Sequence, residues 1–239
     1  MITKVNTTDP RRFFNAAVDN DTLILDMFDV IGSSDLFGNG ITSTAVKAAL
    51  DESGDCPNVT MNINSKGGDL FEGVAIFNLL RNSGKTIHCN VVGLAASAAS
   101  LIACAGNTVT MGVGSSYMLH EAEGICAGYG DDMHKMGDTL SQVTNSAADI
   151  YKAKTGMAKD KVLALMKAET WLTPKEAVAQ GFADAVSKKN AQPTNMYDLS
   201  NFKNVPEELK NEVSEETKTE ADDFNSAAVH LKQIQLMRG

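Results

Sequence analysis

The feature that most constrains this chain is a pattern that occurs twice. A β-rich run ends on small residues and passes at once into a helical stripe. Residues 59–64 alternate apolar and polar side chains, the period of a half-buried strand. Ser65-Lys66-Gly67-Gly68-Asp69 breaks that run, and residues 70–81 then place Val74, Phe77 and Leu80 on one helical stripe. Gly84 closes the unit and residues 86–92 read as the next strand. Gly93-Leu94 leads into a second helix over about residues 95–105. Upstream, residues 22–28 read as a strand and residues 41–50 as a helix capped by Thr42 or Ser43. Strand, crossover helix and strand in repetition predict an α/β fold, a mainly parallel sheet covered by helices.

Downstream, residues 107–111 and 116–119 read as short strands separated by glycines. Residues 124–137 are glycine-rich and are expected to be irregular or mobile. A long helix is predicted over residues 138–155, striped by Leu140, Val143, Ala147, Ile150 and Tyr151, with another over residues 160–167. The sharpest local signal is Thr173-Pro174-Lys175-Glu176. It supplies an N-cap, a proline at the first helical position and a capping box, and Gly181 follows as the left-handed stop. Beyond Val186 the chain turns polar, and from Glu207 to Asp223 acidic side chains far outnumber Lys210 and Lys218. Val229, Leu231, Ile234 and Leu236 restore some periodicity near the end. The expected division is a domain over residues 1–189 and an acidic tail over 190–239, disordered or partly helical.

The chain has 239 residues and a formal net charge of −9, which disfavours a nucleic-acid partner. Its longest apolar-rich stretch, residues 91–105, is too short for a membrane span, and the first residues carry no continuous apolar run. A cytoplasmic protein without a membrane partner is expected. Cys56, Cys89, Cys104 and Cys126 form no CxxC pair and no zinc spacing, so free thiols are expected and neither a metal nor a cofactor is called for.

Ser97 follows a strand and a glycine and opens a helix, among Ala95, Ala96, Ala98 and Ala99. That places a hydroxyl where unpaired backbone N–H groups gather and where a substrate can come close. Packing of small residues around a buried hydroxyl accounts for the same local pattern. Ser100 is a rival nucleophile, but one turn deeper its hydroxyl is expected to bond to the preceding turn. Gly67-Gly68 stands at the other strand end, either as a backbone donor to an acyl oxygen or as a tight turn. His120 ends an apolar run beside the glycine-rich stretch, a setting that suits a general base, although a lone histidine is more often an ordinary polar residue. His88, His134 and His230 have weaker settings.

Taken together and in order, these motifs resemble the proteolytic subunit of the Clp protease family (peptidase S14), and most of all the Clp-like peptidases of phage and prophage head maturation. The residues that carry the resemblance are Asn64-Ser65-Lys66-Gly67-Gly68, Gly93-Leu94-Ala95-Ala96-Ser97, Met118-Leu119-His120, and Trp171-Leu172-Thr173-Pro174-Lys175-Glu176-Ala177 with Gly181-Phe182-Ala183-Asp184. The resemblance implies the Clp-protease/crotonase-like fold, with repeated β-β-α units, covering helices and a protruding handle helix. It implies a serine endopeptidase with Ser97 as nucleophile, His120 as base and Glu169 as orienting acid, and an oxyanion hole from the Gly68 and Ala98 N–H groups. The family's acid is usually Asp; here it is Glu169. Glu121-Ala122 replaces the usual Gln-Pro, and Lys167-Ala168 replaces an Asp-Arg pair tied to ring stacking. The implied partners are further copies of the chain in a ring, a heptamer being the expected size, and scaffold and capsid proteins as substrates in a host cytoplasm. A crotonase-like acyl-CoA enzyme and a non-catalytic capsid-assembly protein are the alternatives on this fold.

Overall fold

The computed structural model describes residues 3–6, 13–34, 38–190 and 197–210. The acidic run beyond Lys210 and the periodic stretch over residues 224–237 lie outside the described residues. In chain order the elements are β1 (Thr3–Asn6), β2 (Phe13–Asp19), β3 (Thr22–Phe28), the two-residue pair β4 (Ser33–Ser34) and β5 (Gly38–Asn39), α1 (Ser43–Glu52), β6 (Asn58–Ser65) and α2 (Leu70–Asn82). There follow β7 (Thr86–Ala96), α3 (Ala98–Ala103), β8 (Thr108–Val113), β9 (Ser116–Leu119), α4 (Gly130–Thr155), α5 (Lys159–Lys167), β10 (Thr170–Leu172), α6 (Pro174–Ala179) and β11 (Ala185–Asn190).

The main sheet runs β1-β2-β3-β6-β7-β8-β11. The β1-β2-β3 edge is antiparallel, and β3, β6, β7, β8 and β11 are mutually parallel, as crossover connections require. β3 alternates buried and half-buried residues, with Leu23, Leu25 and Met27 on the helix-covered side. The opposite side carries a polar row. The Asp26 carboxylate accepts from Asn15 Nδ2 at 3.1 Å and Asn62 Nδ2 at 2.8 Å, and Asn62 Oδ1 accepts from Asn90 Nδ2 at 3.0 Å. Each of these pairs is directly opposite in register across β2, β3, β6 and β7.

The central strand β7 serves two partners. Residues His88 to Val91 pair with β8, while Leu94, Ala95 and Ala96 pair with β9. The chain therefore stays extended through Ala96, where the sequence predicts helix from about residue 95. Glycine and alanine are poor strand formers, and pairing with β9 overrides that preference. On its other side β7 pairs with β6, and the register shifts between Ile63 and Ser65. There the Asn64 side chain accepts from Leu94 N at 3.0 Å, which satisfies a backbone donor the shift would leave open.

The predicted helices otherwise form within a residue or two of their expected ends. Thr42 caps α1 by accepting from Ala45 N at 3.2 Å. The capping box at Thr173 and Glu176 is present, and Gly181 has φ of +79°. The glycine-rich stretch differs from expectation, because α4 already begins at Gly130 and is 26 residues long. Asp131 and Asp132 lie in its first turn, and the Asp132 carboxylate accepts from Tyr129 N at 2.9 Å. Acidic groups at a helix N-terminus offset the cost of Gly130 and Gly137. Only Thr144, Ala147, Ala148 and Tyr151 of α4 are buried, so its first half stands clear of the core of this chain. No helix among the described residues is long and apolar enough to cross a membrane.

Residues 197–210 lie in the predicted tail and run back across the domain as a strap. Tyr197, Leu199 and Val205 are buried in a small cluster with Leu94, Ala96 and Met118, and Trp171 and Phe202 pack against it.

Candidate active site

Two turns meet at the carboxyl ends of β6 and β7. The first is Gly67-Gly68, with φ of +92° and +146°. Its neighbour Ile31 donates to Gly67 O and accepts from Asp69 N, each at 2.8 Å, which holds the glycine pair in an extended bridge. The second turn is Ser97 itself, with φ of 53° and ψ of −126°, conformational territory that L-residues rarely occupy. Ser97 N donates to Met118 O at 3.0 Å, and its carbonyl accepts from Ser100 N and Leu101 N. The Ser97 hydroxyl makes no capping bond to α3.

The turns are in contact. A Cβ added at Gly67 would lie 2.6 Å from Ala96 O, 2.7 Å from Ser97 Cβ and 2.9 Å from Ala98 N. Neither the Gly68 N–H nor the Ala98 N–H donates to a protein acceptor among the described residues. Both N–H groups belong to the two turns that meet here, and backbone donors of this kind are what a developing oxyanion needs.

His120 follows the last residue of β9, and its Nε2 lies 2.7 Å from Ser97 Oγ. Burial lowers the imidazole below its ordinary range, Lys203 lowers it further, and the carboxylates of Glu123, Glu169 and Glu121 act in the opposite direction. A ring with that balance is neutral at pH 7, so Nε2 is able to accept the serine proton.

Glu169 is buried and has φ of 47°. Its carboxylate faces the strap. Oε2 accepts from Lys203 N at 2.9 Å, and Oε1 accepts from Asn204 N at 2.6 Å and from the Trp171 indole at 3.4 Å. No hydrogen bond joins it to His120 among the described residues. The structure therefore brings Ser97, His120, Gly68 and Ala98 to one place, with Glu169 near enough to act on His120 through its charge alone.

The rival Ser100 points inward. Its hydroxyl donates to Ser97 O at 2.6 Å and lies 2.7 Å from the Tyr151 hydroxyl, in a buried network with Tyr117 and Cys104. Burial pushes the Cys104 thiol up to about 11 and Cys89 higher still, so neither is a thiolate nucleophile at neutral pH. His88 bonds to Thr108 Oγ1 on the sheet, and His134 lies on α4. Among the described residues no group of three or more His, Cys, Asp or Glu is arranged to hold a metal ion.

Sequence reasoning missed the strap residues at this site. The Phe202 ring meets His120 edge-on, with centroids 5.6 Å apart, and meets Trp171 at 5.7 Å. Asp198 O accepts from Lys66 Nζ, and the Tyr197 hydroxyl donates to Asn64 O at 2.7 Å. The trace in the sequence is five apolar residues, Tyr197, Leu199, Phe202, Val205 and Leu209, scattered in a polar stretch. Beyond His120, a cavity of about 480 Å³ is lined in part by Glu121, Ala122, Leu140, Thr144 and Leu163.

Comparison with known proteins places the chain among Clp proteolytic subunits. The chain is 29% identical over 136 residues to the ATP-dependent Clp protease proteolytic subunit 2 of Parasynechococcus marenigrum, covering 55% of this chain and 68% of the relative. It is 27% identical over 139 residues to the ATP-dependent Clp protease proteolytic subunit of Deinococcus radiodurans, covering 57% and 68%. Against the proteolytic subunit 2 of Thermobifida fusca it is 27% identical over 135 residues, covering 54% and 64%. The sequence model of the Clp protease family matches residues 40–190, a span that holds both turns, His120 and Glu169, and this chain belongs to the Clp protease family.

Proposed function

We propose that this protein is a serine endopeptidase in which Ser97 is the nucleophile and His120 the base. The observation that carries the reading is the 2.7 Å contact between Ser97 Oγ and His120 Nε2, at a strained strand-to-helix turn beside a glycine pair. Membership of a family of serine peptidases supports it.

In this reading His120 Nε2 takes the hydroxyl proton as Oγ attacks the scissile carbonyl. The tetrahedral oxyanion accepts from Gly68 N and Ala98 N. The imidazolium then gives its proton to the leaving amine, and water repeats the sequence on the acyl-enzyme. Glu169 serves as the acid by its field, favouring the imidazolium as it forms. The lowered basicity of His120 keeps the free enzyme ready to accept a proton at neutral pH.

The expected assembly is a ring of identical chains, a heptamer, with the exposed first half of α4 as its contact handle. The expected substrates are the scaffold and capsid proteins of a phage head, matured in the host cytoplasm. Incubating wild type and Ser97→Ala with phage capsid and scaffold proteins, followed by intact-mass measurement, tests nucleophile and substrate class together. Labelling of wild type by a fluorophosphonate, lost in Ser97→Ala with a rate drop of roughly 10⁴-fold or more, is the expected result. A folded wild type that neither labels nor cleaves defeats the peptidase reading. Labelling without cleavage of those partners defeats only the head-maturation part.

A further inference from the structure

Residues 197–210 lie beyond the stretch matched by the family model, yet they touch the site at both ends. At one end Tyr197 and Asp198 bond to Asn64 and Lys66, just before the glycine pair. At the other, two consecutive backbone N–H groups, from Lys203 and Asn204, close on the Glu169 carboxylate, while Asn204 Nδ2 donates to Ala168 O at 2.8 Å. Between these anchors, Phe202 places its ring edge-on to His120, at 88° between planes, with Trp171 as its backing.

The His120 ring has two side-chain torsions to fix. Its Nε2 meets Ser97, and no carboxylate bonds to the ring among the described residues. The group that restricts its rotation on the strap side is Phe202. Glu169 acts on that ring indirectly as well, because a buried carboxylate gripped by two amide donors is what fastens the strap.

We propose that the 197–210 strap is a working part of the catalytic site, in which Phe202, fastened by Glu169 through the Lys203 and Asn204 amides, is a positioning residue for His120. The inference rests on the peptidase reading for its effect on rate, but its effect on the histidine stands apart from catalysis. Small errors in placing a base are costly to rate.

The test uses the full chain, with Phe202→Ala and the conservative Phe202→Tyr, and two readouts. The first is the fluorophosphonate labelling rate at Ser97. The second is the His120 imidazole titration followed by NMR, which needs no activity. The groups that bear on His120 are Glu121 and Glu123 after β9, Glu169 before β10 and Lys203 on the strap, and all remain in both variants. Removing the Phe202 ring lets water reach the imidazole, so burial opposes its charged form less. Phe202→Ala is therefore expected to move the titration midpoint to higher pH and to slow labelling roughly 10- to 100-fold. Phe202→Tyr is expected to restore both to within about threefold. A folded Phe202→Ala whose titration matches wild type overturns the inference. So does faster labelling, which would make the strap a block, or equal loss in both variants. If wild type does not label at all, the peptidase reading fails, and the titration still decides whether the strap acts on His120.

Discussion

The chain passes from strand to helix twice at the site, after β6 and after β7, and meets the same geometric demand with different residues. After β6 the positive φ angles belong to Gly67 and Gly68, for which such backbone is ordinary. After β7 the positive φ belongs to Ser97, where a Cβ makes it costly, by roughly 1–3 kcal/mol. The strain is avoided at the glycine turn and accepted at the turn that carries the Ser97 hydroxyl. Local stability and chemistry thus part company at one residue.

Gly67→Ala should show the largest effect of this comparison. Its methyl would meet Ala96 O and Ser97 Cβ, and its φ of 92° suits alanine badly, so the two turns must separate. A stability loss of roughly 2–5 kcal/mol and a labelling rate lower by about 10²- to 10³-fold are expected, read by denaturant unfolding and probe kinetics. Wild-type labelling in this variant would break the link between the turns. Ser100→Ala should act on stability instead. It removes a buried bond to Ser97 O and leaves the Tyr151 hydroxyl short of a partner, costing about 1–3 kcal/mol, with labelling within a few-fold of wild type. Loss of labelling there with retention in Ser97→Ala would exchange the two roles. The smallest effect separates two inactive variants. Ser97→Gly should outlast Ser97→Ala in denaturant by about 1 kcal/mol, because only glycine relaxes at that φ. Equal midpoints would mean that the turn stores no strain.

Much of this was legible in the residues because the signals were local. The capping box at Thr173 and Glu176, the Thr42 cap and the Gly67-Gly68 break each act within a few positions, and each appears where expected. The pairing of Ser97 with His120 was suggested by the order of motifs rather than by distance, since 23 residues separate them. What was not legible depends on partners far along the chain. The extension of β7 through Ala96 needs β9 beside it. The early start of α4 depends on carboxylates offsetting two glycines. The strap gives no such local signal, because Tyr197, Leu199 and Val205 are buried in a cluster with Leu94, Ala96 and Met118, residues far back along the chain. Glu169 could be marked as an acid near the site, but not as one whose oxygens are taken by amides more than thirty residues later.

The row of amides and one carboxylate on the open side of the sheet has a consequence at a distance. Asn15, Asp26, Asn62 and Asn90 match donor to acceptor in a single alignment of four strands. A slip of one residue between β6 and β7 would put Asn62 opposite the wrong neighbour, and it would also carry the glycine pair about 3.3 Å away from the hydroxyl it faces. A polar seam away from that turn thereby sets the spacing between the Gly67-Gly68 backbone and the Ser97 hydroxyl, much as a vernier scale fixes a gap from far along its length.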